Sequence, residues 1–175
     1  MARISYSQFS QWVQCPHKWK LQYIDGYGQF KGNIYTIFGS AIHECIQLYL
    51  RVMYAESIKK ANELPLDEFL MDEMKKQYLE TKESLEEGEV LSSAEELKEF
   101  YFQGVQILDY FKKKRAQYFS KKGYSLAGIE RPLNYKLPKN LNFVGFIDVI
   151  IRDEIRDRLK ICLLYTSPSP RDSSE

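Results

Sequence analysis

The chain predicts an α+β fold in which a helical N-terminal portion leads into a mixed central sheet flanked by helices and incomplete at the C-terminus. Apolar residues recur at helical spacing up to about Lys121, and after Gly123 the period shortens to that of strands. Within the run Phe143 to Ile151, Asp148 is the only charged residue. Both faces of that run read as apolar, as in a covered central strand. An ionised carboxylate held there is costly unless a cation or several donors meet it.

The elements follow in order. Ser5 and Ser7 suit an N-cap, and Phe9, Trp12 and Val13 stand at helical spacing, which predicts a short helix. Pro16 starts a second helix through Lys18, Trp19, Lys20 and Tyr23, and Asp25-Gly26 ends it. After a loop with Gly26, Gly28 and Gly32, Phe38 to Glu44 leads a long helix. Its Ile42, Ile46, Tyr49, Leu50 and Met53 form one apolar stripe with His43 at the border. Pro65 opens a third long helix from Leu66 to about Glu86, with Phe69, Leu70 and Met74 turned inward and Gly88 as its breaker. Ser93 and Glu96 form a capping box ahead of a helix reaching about Lys121. Strands then follow from Leu126 to Tyr135, from Leu141 to Arg152, and from Arg158 to Ile161 after a charged turn. The predicted order is helices first, then a sheet.

At 175 residues, one domain with a substantial core is expected. A formal charge of +1 gives no global signature for nucleic acid, so any basic surface is local. No stretch approaches the roughly 18 uninterrupted apolar residues that span a bilayer, and Met1 to Tyr6 lacks a signal-peptide apolar region. A cytoplasmic protein without membrane contact is expected. Cys15, Cys45 and Cys162 form no C-x-x-C pair, so reduced thiols are expected.

From Cys162 the texture changes to Cys-Leu-Leu-Tyr-Thr-Ser-Pro-Ser-Pro-Arg-Asp-Ser-Ser-Glu, with no periodicity. A permitted back-translation of Cys162 to Asp172 resembles a transposase-derived sequencing adapter read in frame. The expectation is therefore a domain over residues 1–161 and a non-native tail over 162–175. The alternative is a natural disordered Ser/Pro tail. Without Arg171, Asp172 and Glu175 the charge stays near balance.

His43, Glu130 and Asp148 are ionisable groups at apolar boundaries, and together they suggest a cation site. Mg²⁺ takes oxygen ligands and keeps water, so two carboxylates with a histidine at the edge leave positions for a phosphate oxygen and an attacking water. Singly, His43 also reads as a satisfied helix histidine, Glu130 as a solvated strand-end charge, and Asp148 as a hydrated strand-end residue or an Arg partner. Lys18 and Lys20 beside Trp19 and Tyr23 suit phosphate contact and base stacking, or else Trp19 and Tyr23 pack the core while the lysines are solvated. The run Lys112 to Arg115 reads as a solvated helix end, with DNA contact as its other reading.

Ser5-Tyr6-Ser7 with Cys15-Pro16, then Phe38-Gly39-Ser40-Ala41-Ile42-His43-Glu44, Glu130, and Gly145-Phe146-Ile147-Asp148 resemble, in this order, the motif set of the PD-(D/E)XK nuclease superfamily. The RecB-like branch is the best fit, which includes nuclease domains of bacterial recombination enzymes, CRISPR-associated adaptation nucleases and phage proteins. The resemblance covers residues 3 to 161. It implies a PD-(D/E)XK core that hydrolyses DNA phosphodiesters with Mg²⁺ or Mn²⁺, as an exonuclease or a recombination and repair nuclease, with recombination or replication proteins as partners. By the same resemblance, His43 is a metal-site histidine, Asp148 the first metal carboxylate and Glu130 the auxiliary acid. The family then carries an acidic-x-Lys triplet on the next strand, where this sequence departs from the pattern. Leu159-Lys160-Ile161 begins that strand and the foreign-looking tail replaces it, so the chain as written is expected to be inactive. Glu154-Ile155-Arg156 mimics the spacing but lies in the charged turn. Some relatives bind an iron-sulfur cluster through a cysteine near Cys15, whose other reading is a helix-packing thiol.

Two other classes stay open at this level. One is a non-catalytic nucleic-acid or protein-binding module on a degenerate nuclease fold. The other is a partner-docking helical bundle, which requires His43 and Asp148 to stand on opposite sides of the fold.

Overall fold

A computed structural model describes residues 2–27, 32–83, 85 and 91–164. The chain opens on a strand, β1 (Ala2–Ser5), which pairs parallel with the later strand Leu141–Asp153. Helices α1 (Tyr6–Gln14) and α2 (Pro16–Tyr23) follow. Ser5 closes a capping box with Gln8 at the first, and the Cys15 sulfur caps the second. The long helix α3 (Ile34–Ala55) begins at a reciprocal cap between Asn33 and Thr36. After the short α4 (Ile58–Asn62), α5 (Leu66–Glu83) and α6 (Ala94–Tyr118) pack on α3. Ser93 and Glu96 form the expected capping box at α6. Gly28, Glu86 and Gly88 lie outside the described residues.

The sheet comprises β1, β2 (Tyr124–Leu137), β3 (Leu141–Asp153) and β4 (Arg158–Cys162), with β3 central. β2 runs antiparallel along one edge of β3 over its full length. The opposite edge is shared: β1 pairs with Leu141–Val144 and β4 with Val149–Asp153. Residues 145–148 lie in the gap between those two partners.

Two expectations are corrected here. The chain is not helices followed by sheet, because β1 precedes every helix; a four-residue strand has no readable period and gains its partner only from residues far along the chain. Nor is β3 covered throughout. Val149 and Ile151 are fully buried in the core that α3 dominates, whereas Phe146, within the gap, is 69% exposed. The core sits between α3, α5 and α6 and the C-terminal half of β3, with Tyr49, Leu50 and Leu70 fully buried.

Asp153 ends β3 almost without solvent access and ties down the turn into β4. Its Oδ1 accepts the Arg156 backbone N–H at 3.1 Å, its Oδ2 accepts an Arg156 guanidinium N–H at 3.2 Å, and Arg158 lies 3.9 Å away. Burial pushes its pKa up, but the Arg156 hydrogen bonds and both guanidinium charges outweigh that and hold it below the ordinary carboxylate value. A folded pKa below the unfolded one means that the ionised form stabilises the fold above about pH 3.9. That contribution is lost as pH falls through the folded value. Asp153→Asn is therefore expected to lower Tm at neutral pH and to reduce the drop in Tm on acidification. An unchanged pH profile in thermal melts contradicts the assignment.

Candidate metal and nucleic-acid site

His43 and Asp148, 105 positions apart by their residue numbers, meet at the gap in the sheet. α3 carries His43 on the border of its buried stripe, and β3 carries Asp148 where neither β1 nor β4 pairs. His43 Nε2 stands 3.7 Å from Asp148 Oδ1, and both side chains are about one-fifth exposed, at 22% and 19%. A docking bundle with these residues on opposite sides is thereby ruled out. Asp148 Oδ2 accepts the Leu164 backbone N–H at 2.6 Å. Asp148 is thus neither an Arg partner nor a free strand-end charge: one oxygen holds a backbone donor and the other faces an imidazole.

Gln47 is a member of this site that periodicity did not single out. It is fully buried one helical turn after His43 and places its Nε2 2.8 Å from His43 Nε2. Arg51, another turn on, donates to Gln47 Oε1 at 3.3 Å. A guanidinium only donates, so Arg51 fixes the amide with its oxygen toward Arg51 and its NH₂ toward His43. With Gln47 Nε2 donating, His43 Nε2 accepts, and at 3.7 Å it lies beyond hydrogen-bond distance of Asp148 Oδ1. The signal for Gln47 was present in the sequence, a polar residue inside an apolar stripe at i+4 from the histidine.

Glu130 lies on β2 between Ile129 and Arg131, which pair with Val149 and Ile147, so the register places it across from Asp148. Its backbone adopts φ +47°, a left-handed conformation uncommon for a non-glycine residue, and the ladder skips this pair. The side chain is exposed. Among the described residues, no three His, Cys, Asp or Glu side chains converge as a metal-binding group. In kind, His43 and Asp148 suit a divalent cation; in number they form one edge of such a site and do not close it.

The remaining candidates are dispersed. Glu154 is engaged by Ser125 at 2.6 Å and Arg152 at 3.0 Å in the β3–β4 turn, away from any paired-carboxylate arrangement. Cys15 is exposed, with its sulfur accepting the Lys18 N–H at 3.4 Å. Cys45 is sealed in α3, where burial, with the Glu73 and Glu44 charges adding to it, pushes its thiol up to about 12. Lys18 and Lys20 are exposed, Lys20 lies 3.9 Å from Asp25, and Trp19 packs at a tilt against Tyr23 with centroids 6.4 Å apart. In the Lys112–Arg115 run, Lys114 lies over the Tyr110 ring, 5.9 Å from its centroid.

Around Asp148 opens a groove of about 700 Å³ that Arg3, Tyr6, Ser7, Asn134 and Phe146 help to line. The fold is an α+β domain, a mixed sheet flanked by helices, with Asp148 at a break in sheet pairing and His43 against it. A model of the PD-(D/E)XK nuclease superfamily matches residues 3–162, and the chain belongs to that superfamily. A search of curated proteins finds no match. Members of the superfamily generally use divalent metal ions and act on DNA. Among the described residues, no helix is long and apolar enough to cross a membrane.

Proposed function

We propose that the chain is the N-terminal part of a metal-dependent deoxyribonuclease of the RecB-like branch, an exonuclease or a recombination and repair enzyme of a bacterial or phage-infected cytoplasm. The observation that carries this reading is the meeting of His43 and Asp148 at 3.7 Å in the gap between β1 and β4. Asp148 is the first metal carboxylate, His43 a metal-site histidine positioned by Gln47, and Glu130 the auxiliary acid. His43 and Asp148 would hold the cation, with His43 Nε2 released from the Gln47 N–H. Bound there, Mg²⁺ or Mn²⁺ supplies charge stabilisation at the phosphate and lowers the pKa of its water. Lys18, Trp19 and Lys20 contribute to DNA contact.

Residues 162–175 are adapter-derived and the native sequence diverges after Ile161, a reading supported by the abrupt change of texture at Cys162. The Leu164 N–H that meets Asp148 is a backbone group, so another sequence on the same path can supply it. The side chains are what the tail replaces. The chain as written is therefore inactive, and the family's acidic-x-Lys triplet follows Ile161 in the native frame. The test is to read the source nucleotides and assay the protein they encode on DNA with Mn²⁺. Cleavage is expected, with Asp148→Ala reducing it at least about a hundredfold, since several kcal/mol of metal-borne stabilisation is at stake. A native frame without the triplet, or DNA binding without cleavage, assigns the domain instead to non-catalytic binding.

A further inference from the structure

We infer that the aromatic pocket between β1, α1 and α2 is a base-stacking subsite for single-stranded DNA whose backbone continues into the Asp148 groove. The inference rests on the nuclease reading above and adds the form of substrate that the domain takes.

The pocket has a volume of about 540 Å³ and is walled by Phe9, Trp12, Trp19, Tyr23 and Arg3, a size typical of ligand sites. Phe9 and Trp12 are 46% and 48% exposed, although their spacing marks them as the apolar face of α1. The face that should bury these rings is open. Trp19 keeps its indole N–H buried without an acceptor among the described residues, so what it offers the pocket is its ring.

Charge selects the occupant. From Ala2 to Ile24 the sequence carries Arg3, Lys18 and Lys20 and no Asp or Glu. Lys20 has Asp25 at 3.9 Å, while no described carboxylate lies at ion-pair distance from Arg3 or Lys18. Rings with Arg3 among them, and with Lys18 and Lys20 exposed on α2 outside the pocket, suit a polyanion that has flat apolar groups, which is a nucleic acid strand. An apolar peptide leaves Arg3 without a counter-charge. Arg3 also lines the Asp148 groove. A phosphate held by Arg3 thus joins a base in the pocket to the groove where Asp148 waits. Stacking needs an open base face, which a paired duplex withholds.

The test uses the whole chain with EDTA and no metal, at low salt, with a fluorescent oligothymidine followed by anisotropy and by quenching of tryptophan emission. Binding with quenching is expected, and a duplex of equal length and inorganic polyphosphate should compete poorly. Trp12→Ala and Phe9→Ala should each weaken binding by about tenfold, and Arg3→Gln should weaken it and flatten its salt dependence. Phe102→Ala, an exposed ring on α6, should leave it unchanged. Circular dichroism confirms that each variant is folded. Polyphosphate or duplex competing as well as the oligothymidine, Trp12→Ala binding normally, or quenching that follows protein concentration alone would each overturn the subsite. Because neither metal nor cleavage enters this measurement, failure of the nuclease reading appears only in the cleavage assay.

Discussion

Leu163→Asp should tighten Mn²⁺ binding by the chain at least tenfold in calorimetric titration, and adding Asp148→Asn should abolish the gain. The expectation follows from register. Val149 pairs with Cys162 in the antiparallel β3–β4 ladder, so one step further places Leu163 across from Asp148. Directly opposed residues of such a pair have Cβ atoms about 4.5–5.5 Å apart, close enough for two carboxylates to share one cation with His43 beside them. Leu163 is half exposed, at 50%, so the new carboxylate meets little burial cost. Without metal, the added charge opposes Asp148, and that repulsion destabilises the variant near neutral pH. Metal should remove the penalty and raise Tm. Leu159→Asp is the control: Leu159 is similarly exposed on β4 but pairs with Arg152. An equal gain from Leu159→Asp would mean that added charge, and not the register beside Asp148, binds the ion.

The local chemistry of the helices was legible because their starts are marked by side chains that bond their own neighbours. Ser5 as an N-cap, Ser93 with Glu96 and Pro16 each do what the sequence implies, and Gln8 adds a reciprocal bond to Ser5. The long helix begins at Ile34, earlier than the apolar stripe suggested, because the reciprocal Asn33–Thr36 cap is an unusual pair. β1 and α4 were not legible. Four and five residues carry too little period, and β1 exists only through its pairing with Leu141–Val144.

The site divides in the same way. Asp148 announced itself as an isolated charge and His43 as a polar residue at the edge of a stripe, and α3 and β3 bring the two together. Composition could not show that β3 loses its edge partner at residues 145–148, which is why Asp148 tolerates its position. It also could not show the left-handed backbone at Glu130, where the β2–β3 ladder skips a pair. Gln47 was overlooked for a different reason. Its role depends on Arg51 orienting an amide toward His43, and a three-residue relay along one helix is a matter of side-chain direction as well as spacing.

The core beneath the site makes the second large prediction. Leu70→Ala should cost about 2–5 kcal/mol, because Leu70 is fully buried where α5 meets α3 and α6 and its removal leaves a cavity. Gly104 on α6 faces that position. A Cβ there would come within 2.6 Å of Leu70 Cδ2 and 3.1 Å of Ile42 Cδ1 and Phe38 Cε2. In the native background, Gly104→Ala sets a helix-propensity gain of about 1 kcal/mol against that crowding. Shortening Leu70 removes the closest of the three contacts, so Gly104→Ala should become stabilising in the Leu70→Ala background and refill part of the cavity. A double-mutant cycle in urea should therefore give a favourable coupling of about 0.5–3 kcal/mol. Additive effects would mean that α6 shifts freely over α5 and that Gly104 is not held against Leu70. The consequence reaches the site through Ile42, which touches the same spot and directly precedes His43 on α3. If that packing sets the rotation of α3, Leu70→Ala should also weaken the Mn²⁺ affinity gained in Leu163→Asp, and Gly104→Ala should restore part of it.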